Sequence, residues 1–184
     1  MGVGYLRGTI SSSLPYRQST FDRVVVEMYV NVDYVGNLNT RNSPYGYVST
    51  LFGTLVCWKS SLQSVVALST TQAEYIAFTE GVKEAPWLKK MIGGIGIVQD
   101  WVIVHCDSQI VIHLFDHHTY HKRMNTKIRL HFMRDIIESR EVRIKNITLE
   151  ENPTYVFTKS LARSRFKQCL KLVNFLFEKK GRWS

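Results

Sequence analysis

The apolar residues change their period once, near residue 70, and that change restricts the fold more than any other feature. Before it, Val24 to Val32 is a β-branched apolar run that ends at Asp33. Tyr45 to Phe52 and Leu55 to Lys59 are two further strand-like runs around Gly53, the pattern of a hairpin. After it, Tyr75, Phe78, Val82, Ala85 and Leu88 recur at helical spacing. Thr71-Gln72-Ala73-Glu74 reads as a capping box that opens this helix, and Gly93-Gly94 as its stop. Trp101 to Cys106 then reads as a buried strand, Gln109 to Phe115 as a short helix, and residues 116–126 as a polar, His-rich loop. Ile128, Phe132, Ile136 and Ile137 mark a second amphipathic helix. Val142 to Ile147 makes a last strand, Tyr155 to Leu161 a short helix or loop, and Arg165 to Phe177 a C-terminal helix. Three antiparallel strands followed by helix-linked strands predict an α/β fold: a mixed five-stranded sheet with helices on both faces.

A chain of 184 residues makes one domain of ordinary size. The expected organisation is a Gly/Ser-rich leader over 1–22, a domain over 23–178 and a basic tail over 179–184. No apolar run approaches the ~20 residues of a membrane span. Cys57, Cys106 and Cys169 are odd in number and lack metal-ligand spacing, so free thiols are expected. The net charge of +9 is lopsided. Residues 1–100 carry 8 Lys/Arg against 7 Asp/Glu, and residues 101–184 carry 16 against 8. A polyanionic partner fits this excess, and so does a merely solvated surface.

Only 15 residues are acidic, and three of them fall at element ends. Asp33 ends the first strand, Glu74 lies in the first turn of the long helix, and Asp107 ends the Trp101–Cys106 strand. Each has an ordinary explanation. Asp33 can be a turn residue before Gly36 and Asn37, Glu74 can serve the capping box, and Asp107 can cap the next helix in competition with Ser108. Together they describe carboxylates converging on one sheet edge, which requires a cation among them, as in a magnesium site for phosphodiester chemistry. Other candidates are weaker. Gly93-Gly94-Ile95-Gly96 ends a helix rather than opening one, which suits a cap and not a phosphate loop. His105, His113, His117, His118 and His121 match no zinc spacing. Ser69 has no nucleophile-elbow context.

The strings around the acids are specific. They are Val-Asp-Tyr-Val-Gly-Asn-Leu-Asn-Thr-Arg (32–41), Trp-Lys-Ser-Ser-Leu-Gln-Ser-Val-Val-Ala-Leu-Ser-Thr-Thr-Gln-Ala-Glu-Tyr-Ile-Ala (58–77), Val-His-Cys-Asp-Ser-Gln (104–109) and Glu-Asn-Pro-Thr-Tyr-Val-Phe-Thr-Lys-Ser-Leu (151–161). They resemble the ribonuclease H domain of copia-type long-terminal-repeat retrotransposon Pol polyproteins over about residues 24–175. Tyr5 to Thr9 resembles the end of the preceding reverse transcriptase. The resemblance implies a ribonuclease H-like fold and Mg²⁺-dependent endonucleolytic cleavage of the RNA strand of RNA–DNA hybrids, with Mn²⁺ as an alternative ion. It implies Asp33, Glu74 and Asp107 as catalytic and metal-binding residues. It also implies fusion to reverse transcriptase and integrase, no membrane partner, and a cytoplasmic location, in virus-like particles when the element is intact, or a nuclear one.

The fourth motif departs from the family. Tyr155 stands where the resemblance requires a fourth carboxylate. A phenol is neutral at pH 7 and a poor ligand for a hard cation. Met124 to Lys127 lacks a His and an Asp usual in the family, and Asn31 and Asn39 replace common acids. The expectation is a ribonuclease H impaired in this copy; the alternative is a nucleic-acid-binding remnant without catalysis.

Overall fold

The computed structural model describes residues 12–16, 26–34, 36, 41–116, 135–136 and 138–177. In chain order the strands are β1 (Ser12–Ser13), β2 (Val26–Val32), β3 (Pro44–Leu51), β4 (Thr54–Leu62), β5 (Val102–Cys106), β6 (Val142–Asn146) and β7 (Leu176–Phe177). The helices are α1 (Thr70–Gly94), α2 (Gln109–Asp116), α3 (Tyr155–Thr158) and α4 (Arg163–Leu172). The main sheet has the order β4-β3-β2-β5-β6. β2, β3 and β4 pair antiparallel, while β2–β5 and β5–β6 pair parallel. This is the expected mixed five-stranded sheet. The hairpin turn is where the sequence places it, with Phe52 and Gly53 both left-handed (φ 53° and 73°), as a two-residue turn matching strand twist requires.

β2 is less uniformly buried than its composition predicts, because it serves both faces. Val26, Met28 and Val30 are buried on the side of α1, where they meet Phe78, Val82, Ala85 and Leu88. Glu27 and Tyr29 point to the other side and are half-buried. The approach of α1 is close at one point: a Cβ on Gly81 would lie 2.5 Å from Cγ2 of Val30. On the opposite face, Phe157 of α3 lies against Gly46 of β3, where an added Cβ would meet it at 2.9 Å. Helices therefore flank both faces.

Several boundaries differ from expectation: β4 runs on to Leu62 rather than Lys59, and α3 stops at Thr158 rather than Leu161. The long helix opens at Ser69, not Thr71: the Ser69 hydroxyl accepts from the Gln72 N–H at 3.2 Å, and the Gln72 side chain accepts from the Leu68 N–H at 2.7 Å. The helix also runs through Gly93-Gly94. It closes in a Schellman arrangement in which Gly96 is left-handed (φ 85°), with Gly96 N–H bonded to Gly93 O and Ile97 N–H to Ile92 O. The C-terminal helix stops at Leu172, Asn174 turns left-handed (φ 55°), and Leu176–Phe177 pair with Ser12–Ser13, inside the expected leader. Tyr16 donates to Leu55 O at 2.5 Å and Thr54 to Pro15 O at 2.9 Å, so residues 12–16 pack on the domain. The loop over 117–126 and most of the amphipathic helix over 128–137 lie outside the described residues. No helix among the described residues is long and apolar enough to cross a membrane.

Candidate active site

The parallel strands β2, β5 and β6 end on the same edge of the sheet, and the acids singled out by the sequence gather there. Asp33 follows β2 directly and Asp107 follows β5. Both are half-buried. Glu74 reaches the same edge from α1, where its carboxylate accepts from the Ser108 hydroxyl at 2.6 Å.

The competing structural duties of two of these acids are taken by neighbours. Ser69 and Gln72 cap α1, one turn before Glu74. Ser108 caps α2, its Oγ accepting from Val111 N–H at 3.3 Å and its carbonyl from Ile112 N–H at 3.1 Å. Glu74 and Asp107 are therefore free of capping. Asp33 does stand in a turn, through its backbone: its carbonyl accepts from Gly36 N–H at 3.2 Å and its N–H donates to Pro44 O at 2.9 Å. Gly36 also lies against its carboxylate, since a Cβ there would sit 2.7 Å from Oδ2.

Tyr155 lies against Asp107. Its hydroxyl donates to Asp107 Oδ2 at 3.1 Å. The motif before it works as an anchor. Asn152 is fully buried, donates from Nδ2 to Val30 O at 3.1 Å and accepts from Thr154 N–H at 3.1 Å. The Thr154 hydroxyl donates to the same Asn152 oxygen. This clip fixes the start of α3 to the end of β2 and aims residue 155 at Asp107. Burial raises the Tyr155 phenol well above its ordinary range, and the Asp107 charge adds to the effect. The hydroxyl is therefore a neutral donor. Asn31, where the resemblance implies an acid, is buried and donates to the Thr158 hydroxyl at 2.8 Å. Residues 124–127 and Asn39 lie outside the described residues.

These residues do not fit a divalent-ion centre as they stand. Carboxylate oxygens are the right donors for Mg²⁺ or Mn²⁺. However, no group of three His, Cys, Asp or Glu side chains able to hold a metal ion occurs among the described residues. Tyr29 is level with His105, and counting on from that pair puts Asn31, not Asp33, opposite Asp107. Glu74 and Asp107 are each hydrogen-bonded by a neutral hydroxyl, that of Ser108 and that of Tyr155.

The sequence reading missed one polar cluster. His105 Nε2 donates to Glu27 Oε1 at 3.2 Å, Tyr29 donates to Glu27 Oε2 at 3.0 Å, and the Tyr29 and His105 rings stack with centroids 4.6 Å apart. The alternation of Glu27 and Tyr29 with Val26, Met28 and Val30 was its signal. The His105 bond is the main cause holding the Glu27 carboxyl below its usual range. The three cysteines are free, as expected; burial pushes the Cys106 thiol up to about 12.

No protein-family model matches the chain. Among solved structures it is similar to the N-terminal ribonuclease H domain of a Mycobacterium tuberculosis protein, with TM-score 0.53 and 15% identity, covering 80% of this chain and 97% of that one. It is also similar to LC11-RNase H1 solved with an RNA/DNA hybrid, with TM-score 0.51 and 19% identity, covering 69% of this chain and 88% of that one. At these identities the likeness is one of fold, and the fold is that of ribonuclease H.

The sequence relationship is more particular. The retrovirus-related Pol polyprotein from transposon TNT 1-94 of Nicotiana tabacum is 38% identical over 170 residues, 92% of this chain. The chain is thus a relative of copia-type retrotransposon Pol polyproteins and resembles their ribonuclease H domain. It spans 13% of the length of TNT 1-94.

Proposed function

We propose that this chain is a retrotransposon-derived ribonuclease H-type domain that retains nucleic-acid binding, with RNA–DNA hybrid as its substrate class, and whose cleavage is impaired. The observation that carries this reading is the Tyr155 hydroxyl donating to Asp107 Oδ2 at 3.1 Å, in the position where the family resemblance requires a carboxylate. Asp33, Glu74 and Asp107 are the residues assigned to the ancestral Mg²⁺- or Mn²⁺-dependent cleavage of the RNA strand. In this chain the Glu74 and Asp107 charges are eased by hydroxyl donors rather than left for a cation. The domain would act in the cytoplasm or nucleus, beside reverse transcriptase and integrase segments of a polyprotein. What remains is a folded, cationic surface able to hold a polyanion, with hybrid recognised by groove shape and 2′-hydroxyl contacts.

The test is incubation of the purified chain with a labelled RNA–DNA hybrid and Mg²⁺ or Mn²⁺, beside Tyr155→Asp and Asp107→Asn variants. The expected result is salt-sensitive binding by all three, with cleavage absent or slow in the native chain and enhanced in Tyr155→Asp. Full cleavage by the native chain, abolished by Asp107→Asn, would show an intact enzyme. Absence of hybrid binding in every variant would remove the proposed role.

A further inference from the structure

The segment from Asn152 to Phe177 contains Lys159, Arg163, Arg165, Lys167 and Lys171 and no acidic residue. Three of these, Arg163, Lys167 and Lys171, are exposed on α4 at intervals of four residues. They form one row, each about 6 Å from the next, opposite the buried Cys169. The ion pairs among the described residues join Lys83 to Glu80, Lys89 to Glu141 and His105 to Glu27, and leave this row out. Like charges at this spacing repel, so the row costs stability unless an anion covers it. Phe166, 41% exposed, flanks the row.

The row has a direction. Arg165, in the first turn of α4, donates to Leu149 O in the loop after β6, on the edge that carries the acids. At its other end, Leu55 N–H donates to Val173 O at 3.1 Å and Asn174 Nδ2 to Thr54 Oγ1 at 3.3 Å. Those partners open β4, on the opposite edge. α4 therefore leads away from the acids for about 15 Å. Lys159, whose Nζ lies 4.7 Å from the centre of the Tyr155 ring, joins its start to the site.

We propose that this face of α4 is a track for the sugar–phosphate backbone of a single nucleic-acid strand, with Phe166 as a platform on which a base stacks. A row of cations beside an exposed aromatic ring is the combination that holds single strands without sequence preference. The strand it takes is one extending from a hybrid bound at the acidic edge; in that respect the inference rests on the function proposed above.

The experiment measures binding of the whole chain to a blunt RNA–DNA hybrid, to the same hybrid with a single-stranded DNA extension, and to the bare DNA strand, each across a salt series. The variants are Phe166→Ala and the triple Arg163→Gln, Lys167→Gln, Lys171→Gln, with far-UV circular dichroism to verify the fold. Glutamine keeps helix propensity, so α4 should persist. In the native chain the extension should tighten binding. The triple variant should lose that gain, keep its affinity for blunt hybrid, and show a salt slope on the bare strand smaller by about 2. Phe166→Ala should weaken binding of the extended hybrid at least about fivefold. An extension that adds nothing, or a gain and slope unchanged in the triple variant, overturns the track. So does binding to phosphatidylserine vesicles that depends on the three cations when the bare strand does not bind. If the chain ignores blunt hybrid but holds the bare strand in a way the triple variant weakens, the function proposed above fails and the track stands.

Discussion

Replacing Tyr155 with Phe removes one oxygen and leaves the ring, its packing and its contact with Lys159 in place. The lost interaction is the hydrogen bond to Asp107 Oδ2 at 3.1 Å. A bond to a charged acceptor contributes about 1.5–3 kcal/mol when the acceptor would otherwise be stranded. Asp107 is only half-buried, so water can replace the hydroxyl. The expected loss is therefore smaller, about 1 kcal/mol, or a fall in Tm of about 2–4 °C for a chain of this size. A second signature is harder to imitate. Burial and the Asp107 charge raise the phenol's pKa in the folded state. Its contribution is then fully present below the unfolded value of about 10 and is lost as pH rises above it, because the unfolded chain sheds the proton first. Native stability should fall there by up to about 1.4 kcal/mol per pH unit from this group alone, and the Phe variant should lack that component. Tyr29 and Tyr47 are also raised, but they titrate in both proteins and cancel in the difference. Urea unfolding of both proteins, followed by tryptophan fluorescence from pH 7 to about pH 11, measures the two effects. Equal stabilities at pH 7 and parallel curves above pH 10 would refute the Tyr155–Asp107 link, and with it the observation on which the proposed impairment rests.

Three further perturbations follow from named contacts. Gly81→Ala places a Cβ 2.5 Å from Val30 Cγ2 and should destabilise the fold by about 1–3 kcal/mol in denaturant titrations, with a smaller loss when Val30→Ala is added to make room. Ser108→Ala removes the α2 cap and the Glu74 donor together, and should cost about 1–2 kcal/mol, most of it recovered by Thr at the same position. The His105 bond holds the Glu27 carboxyl below its ordinary value, so its contribution is present above that ordinary value and is lost as pH falls through the lower folded one. Glu27→Gln should make the acid limb of the stability profile shallower, and an unchanged limb would exclude the pair as a source of acid sensitivity.

The strand and helix order was legible because apolar periodicity reports which side of an element is buried, and five strands and the long helix emerge where that pattern falls. Ends were less legible, since several residues near each end can cap. Thr71 and Ser69 both offer a hydroxyl three residues before a suitable partner, and the one chosen depends on where β4 delivers the chain. The pairing of residues 12–13 with 176–177 has no local signal at all, because the two short segments are far apart in sequence and are brought together by the rest of the fold. The three acids could be placed on one edge from the strand ends alone. Their two-residue offset could not, since parallel register is set by packing across β2 and β5. Tyr155 was marked by the resemblance, whereas its bond to Asp107 needed the Asn152 clip to be seen.

The short pairing of β1 with β7 has a consequence for how such a domain sits in a longer polypeptide. Ser12 faces Phe177 and Ser13 faces Leu176, so the chain comes in and goes out through one port. A segment built this way can be spliced into a host protein as a single side loop, without separating the sequences on either side of it. The same closeness makes the two strands a natural place to join, and new ends could be cut beside Val98, which is 85% exposed.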